Sequence, residues 1–254
     1  MRKLTPPTSE TWQQGYGPIS HNDETIERVA ALAASGLIEP EALYRILAAA
    51  DRLTSAAMWT VVHMTYAHRV DLSGALLPAE AFKSTPEGHT GGSLNMVPAF
   101  IGYLAANAIT AKTRSWLMGQ GHSVAAIEAV NALTGDVSPA QRGRYDRSEK
   151  GLSQLAADFY SYAIDADGKA AVPLGSHAGP STAGAISEGG YLGFAEVQYV
   201  HAPLPGESLI TFLSDGAFEE QRGSDWTPRW WRAEDSGLAI PVMILNGRRI
   251  EERV

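Results

Sequence analysis

The sequence predicts an α/β fold, a parallel sheet with helices on both faces, and three observations carry that prediction. Two apolar runs of strand length, SLITFLSDG at 208–216 and IPVMILNG at 240–247, end in an acid or an amide followed by glycine. A third, RSWLMGQGHS at 114–123, breaks at glycines and leads into the helical pattern VAAIEAVNAL. Before and between these runs, apolar residues recur at helical spacing. Such alternation places ligand chemistry at the carboxyl ends of the strands.

In chain order, residues 1–20 are rich in Pro, Gly, Ser and Thr and read as an extended arm packed on another element. Asn22 or Asp23 caps a helix through NDETIERVAALAASG, with Ile26, Val29, Ala30 and Ala33 on one face and Gly36 as its stop. Pro40 opens a second helix, reaching His68, whose apolar density requires burial. His63 and His68 lie five apart on it, about 140° around the axis, so they do not face one metal. The stretch GHTGGSLNM rings His89 with Gly88, Gly91 and Gly92 ahead of a helix running to residue 110 with Met96, Val97, Phe100, Ile101 and Leu104 on its apolar face. That helix should hold Pro98 in its first turn. SPAQRGRYDRSEKG reads as a surface connection, LSQLAADFYSYAI as a helix, and GFAEVQYVHA as another. Residues 1–84 form the arm and first helices, and residues 85–254 one α/β domain.

The chain has 254 residues, 44% of them apolar, enough for a sizeable core. A net charge of −8 argues against a general nucleic-acid binder, which needs clustered Lys and Arg. The cluster Trp226, Trp230 and Trp231 with Arg229 and Arg232 could stack bases, but its acidic neighbourhood favours helix packing or a subunit interface. Without cysteine, disulfides and thiolate chemistry are excluded. No secretory pattern and no membrane-length apolar run is visible, so the cytoplasm is the expected location.

Three histidines, His89, His122 and His177, stand in three separate glycine-rich turns, and two strands end at Asp215 and Asn246. Singly, each is an ordinary turn signal. Together, a carboxylate, an amide oxygen and a main-chain carbonyl suit Mg²⁺ when a diphosphate supplies the remaining oxygens. Amides at Gly216 and Ala217, at a helix start, would bind phosphate oxygens.

At these residues the sequence resembles thiamine-diphosphate enzymes, which hold their cofactor through Mg²⁺ with an acidic DG at one strand end and an asparagine at the next. GHTGGSLNM resembles a turn of transketolases, while GQGHS, GSHAGPSTAGAISEGGYLG and ILNGRRI resemble turns of phosphoketolases acting on D-xylulose 5-phosphate or D-fructose 6-phosphate. The resemblance implies Asp215, Asn246 and the carbonyl of Arg248 as Mg²⁺ ligands. It implies that His89 and His122 line the diphosphate and the reactive carbon, that His177 faces the hydroxyls of a ketose phosphate, and that Gly190 passes under the thiazolium ring. Imidazole suits the proton transfers of such a cleavage near neutral pH. Inorganic phosphate would be the second substrate of a true phosphoketolase, and the enzyme would be a homo-oligomeric aldehyde-lyase.

The chain departs from the pattern at Ser214, where the family has glycine, and at Ala217, where phosphoketolases have glutamate. The carboxylate that activates the aminopyrimidine lies in a second, pyrimidine domain of these enzymes. The chain is therefore expected to be the amino-terminal part of a longer or split enzyme, incomplete in its sheet, inactive alone, and completed by that domain in cis or in trans. A transketolase-like enzyme, a sugar-phosphate epimerase relative and a non-catalytic truncated homologue are the alternatives. Arg248 and Arg249 would meet a sugar phosphate or simply end a solvated strand.

Overall fold

The computed structural model describes residues 7–118, 123–164, 166–168, 208–214 and 238–245. The arm is not extended throughout: it contains a short helix, α1 (Ser9–Gln13), started by a capping box in which Thr8 and Thr11 satisfy each other's backbone amides. Trp12 on this helix is buried and lies near Tyr44, with ring centroids 6.0 Å apart. The next helix, α2 (Asp23–Ala34), is capped by Asn22, whose side chain accepts the Thr25 amide at 2.8 Å. It stops before Gly36, as expected. Its apolar face is only half-buried, and Ala30 is exposed.

The long helix α3 (Pro40–Tyr66) begins with Pro40 in its first turn, where a missing N–H costs nothing. It ends two residues short of His68, because the chain turns extended at Ala67 and bridges to Phe82. His68 is therefore off the helix and exposed, while His63 bonds its own helix at the Trp59 carbonyl, 2.7 Å away. Among the described residues, neither belongs to a group that could hold a metal.

Helix α4 (Thr90–Thr110) starts earlier than the apolar spacing suggests and takes Gly91 and Gly92 into its first turn. Pro98 therefore lies inside the helix rather than in its first turn, and the Leu94 carbonyl goes without its usual intrahelical partner. Strand β1 (Ser115–Met118) follows, then α5 (Val124–Thr134), a short α6 (Pro139–Arg142), and α7 (Glu149–Asp158). Helix α7 begins before Leu152 and ends well before Ile164: Phe159 is extended, and Tyr160 and Tyr162 take φ of 63° and 52°. The predicted helix at 193–202 lies outside the described residues.

Strands β2 (Ser208–Ser214) and β3 (Leu238–Ile244) are where the apolar runs place them, although β3 starts two residues earlier. The sheet is parallel, in the order β1-β2-β3. Ile210, Phe212 and Ile244 join Met96, Val97, Phe100 and Ile101 of α4 and the inner faces of α3 and α5 in one core. Helices thus cover one face.

Candidate functional site

The site begins at the start of α4. His89 is the N-cap of that helix, and its Nδ1 accepts the Gly92 amide at 2.9 Å. One of the amides that every helix start leaves open is thereby satisfied. The same bond assigns the proton, because an imidazole whose Nδ1 accepts carries hydrogen on Nε2 when neutral. Burial holds the imidazole pKa below its ordinary 6.5, and protonating Nδ1 would break the cap. At neutral pH His89 is therefore an uncharged ring with its proton on Nε2.

Two glycines make this arrangement possible. Gly88 has φ +121°, and a Cβ there would stand 3.1 Å from the Phe159 ring and 3.4 Å from Thr65 Oγ1. At Gly92 a Cβ would come within 2.7 Å of His89 Nδ1 and 2.9 Å of Ser123 Oγ. No side chain fits between those groups. The starts of α4 and α5 therefore meet, and Ser123, the residue after His122, lies against the turn that carries His89.

Lys83 fastens the same region. Its Nζ donates to the carbonyls of Met64 at 2.6 Å and Phe159 at 2.9 Å, joining the ends of α3 and α7 beside Gly88. Burial pulls this ammonium down to about 8, and the charge of Glu87 works against that shift. Sequence reasoning missed Lys83, since a lone lysine in a loop gives no signal. It also missed Ser93, fully buried with a hydroxyl that has no partner among the described residues. The segment 138–151, read as a surface connection, buries Tyr145, which donates to Asp158 at 2.7 Å alongside Arg144.

Of the predicted site residues, only His89 is among those described. His122, His177, Gly190, Asp215, Gly216, Ala217, Asn246 and Arg248 lie outside them, as do the three clustered tryptophans. No group of three or more His, Cys, Asp or Glu that could hold a metal occurs among the described residues. No described helix is long and apolar enough to cross a membrane. The strands leading toward Asp215 and Asn246 are described, however, and Ser214 and Ile244 are register partners at their carboxyl ends.

The roles of His89 separate in two substitutions. His89→Ala is expected to cost about 0.5 to 2 kcal/mol through the lost cap. His89→Asn, which keeps an acceptor for the Gly92 amide, should recover most of that stability while still lacking the imidazole donor. Urea denaturation of both variants checks the cap, and failure of asparagine to recover stability would refute it.

The described residues form a three-stranded parallel sheet with helices packed on it, an α/β arrangement. The chain belongs to the XFP N-terminal domain family, which it matches over residues 42–254. It is similar to the "Probable phosphoketolase" of Schizosaccharomyces pombe, 32% identical over 146 residues, covering 54% of this chain and 16% of that protein. A protein of the same name from Brucella melitensis biotype 1 is 26% identical over 234 residues, covering 87% and 27% respectively. That of Bradyrhizobium diazoefficiens is 28% identical over 208 residues, covering 79% and 24%. The chain thus spans 16% to 27% of the length of these relatives. The resemblance to the N-terminal part of phosphoketolases, first carried by glycine-rich turns, holds across most of the chain.

Proposed function

We propose that the chain is the diphosphate- and Mg²⁺-binding portion of a phosphoketolase-like, thiamine-diphosphate-dependent aldehyde-lyase acting on ketose phosphates. The observation that carries this reading is the parallel pairing of β2 with β3. Ser214 and Ile244 are partners in register, so two adjacent strands lead directly into Asp215 and, after Leu245, into Asn246. Neighbouring parallel strands lie about 4.8 Å apart, a separation that two converging oxygen ligands can bridge to one ion at about 2.1 Å. The donor set, a carboxylate, an amide oxygen and the Arg248 carbonyl, suits a hard cation.

In this reading Asp215, Asn246 and the Arg248 carbonyl hold Mg²⁺, and the Gly216 and Ala217 amides receive phosphate oxygens. The uncharged His89 lines the diphosphate and the reactive carbon. The contact between Gly92 and Ser123 supports placing His122 on the same wall, with His177 facing the ketose hydroxyls and Gly190 beneath the cofactor ring. Thiamine diphosphate supplies the carbanion sink when bound. A pyrimidine domain, in cis or in trans, and a second subunit complete the site, and inorganic phosphate is the co-substrate.

Calorimetric titration of the purified chain with thiamine diphosphate tests the site. Binding should require Mg²⁺ and weaken at least about tenfold in Asp215→Ala, equivalent to about 1.4 kcal/mol or more. Affinity unchanged by that substitution would overturn the proposed ligand set. In the complete enzyme, acetyl phosphate that forms only with inorganic phosphate present distinguishes this chemistry from that of a transketolase.

A further inference from the structure

Helix α3 leaves one continuous side open. From residue 45 onward its exposed residues are Arg45, Ala49, Arg52, Ala56, Trp59 and Tyr66, and the half-buried His63 falls in line with them. Steps along this row alternate four and three residues, a repeat of about 3.5, so that the row keeps to one side of the helix within an arc of about 100°. It runs for about 32 Å. The opposite side, with Ala57, Val61 and Met64, is buried in the core shared with α4 and α5. A row with this repeat is the seam along which two helices pack lengthwise.

The residue types in the row are those enriched where proteins bind one another. Trp59 is 61% exposed and Tyr66 43%, two arginines accompany them, and no acid stands among them although the chain carries a net charge of −8. Two of these side chains are already steadied. His63 Nδ1 lies 2.7 Å from the Trp59 carbonyl, and Arg52 holds its guanidinium 5.6 Å over the Tyr16 ring, which lowers the ordering cost of association. The order of residues selects the partner, because the row matches itself when reversed. Laid antiparallel on a second copy with Ala56 at the two-fold axis, Arg52 faces the partner's Trp59, Arg45 the partner's Tyr66, and Ala49 the partner's His63. Each guanidinium then meets an aromatic ring, and the alanines leave room for close approach at the axis and for the imidazole beside it. Parallel pairing would instead set each arginine against its own copy, with like charges opposed. Repulsion between the two net charges is screened beyond about 8 Å at physiological salt, and the row itself is basic.

We propose that the open side of α3 is an interface between two copies of this chain, packed antiparallel about Ala56 with arginine against aromatic ring on either side of the axis. The pairing does not rest on the cofactor site.

Because the chain has no cysteine, introduced thiols report the register directly. Helices about 8 to 10 Å apart hold facing Cα atoms within the span a disulfide bridges, about 4.4 to 6.8 Å. Under mild oxidation Ala56→Cys should therefore form a covalent dimer. Ala49→Cys alone should form little, whereas Ala49→Cys combined with His63→Cys should crosslink, and Ala30→Cys, exposed on α2, sets the background. Analytical ultracentrifugation of the unsubstituted chain should show a reversible dimer at about 50 µM, and Trp59→Ala should weaken association at least about tenfold. A chain that stays monomeric at that concentration, Ala56→Cys crosslinking no faster than Ala30→Cys, or association indifferent to Trp59→Ala would each overturn the proposal. Ala49→Cys alone linking as readily as Ala56→Cys would overturn the antiparallel register.

Discussion

Replacing Phe212 with alanine is expected to lower the unfolding free energy by about 3 to 5 kcal/mol, the usual cost of emptying a filled aromatic site in a core. Phe212 is completely buried on the middle strand of the sheet, paired in register with Met118 and Val242. Its ring meets those of Phe100, Tyr103 and Trp116 edge-on at 6.2, 6.1 and 6.2 Å. These contacts join the helical layer to all three strands at one point. Truncation forfeits the transfer free energy of the ring, the edge-to-face contacts and the packing around the void. A urea midpoint that falls with unchanged slope would confirm it, and a loss below about 1 kcal/mol would show that the helices do not rest on the sheet here.

The second large effect is expected at Asp158, where the chain leaves α7. Its Oδ2 receives Arg144 Nε and the Tyr145 hydroxyl, both at 2.7 Å, and Oδ1 receives Gln154 Nε2 at 2.9 Å. Burial pushes this carboxyl upward, but the bonds from Arg144, Tyr145 and Gln154 outweigh it and hold the pKa below the ordinary 3.8. The folded state therefore binds the proton less readily than the unfolded chain. The resulting stability is fully present above the unfolded value near 3.9 and is lost as pH falls through the lower folded one. Asp158→Ala should cost about 2 to 3 kcal/mol at neutral pH, since it strands the buried Tyr145 hydroxyl. The half-exposed Arg144 recovers much of its solvation, which keeps the loss below that of a fully buried pair. Denaturation at a series of pH values should show the difference between wild type and variant shrinking below about pH 4. A difference independent of pH would exclude the carboxylate as its source.

Elements governed by local pattern were legible in the sequence. The strands at 208–214 and 238–244 follow from apolar runs of β-branched residues, and the starts of α2 and α3 from Asn22 and Pro40, because these signals act within a few residues. Part of what was misread depends on partners distant in sequence, and part on caps that the residue types do not advertise. Gly91 and Gly92 look like a turn, yet they are helical because His89 caps the helix they begin, and at Gly92 the neighbouring Ser123 leaves no room for a Cβ. Ala67 ends α3 because it bridges to Phe82. Helix α1 hides in a stretch rich in turn formers because its capping box uses threonine at both positions. At the site, the sequence singled out His89, but its proton assignment needed the Gly92 bond. Lys83 and Ser93 acquire meaning only from what surrounds them.

The order of strands in the sheet bears on how the chain reaches its fold. Ser208 of the middle strand finds its partner Leu238 thirty residues away, whereas Ser115 finds Leu209 across ninety-four. Closing an open chain costs entropy that grows as the logarithm of the separation, so the longer closure is dearer by about 1 kcal/mol. The helical hairpin of α3 and α4, by contrast, is made from neighbours in sequence. Topology of this kind favours early helices, then the pair of later strands, with β1 the last to be joined. Until that happens one flank of β2 has its amides and carbonyls unpaired, and during this interval the chain is most exposed to pairing with another molecule.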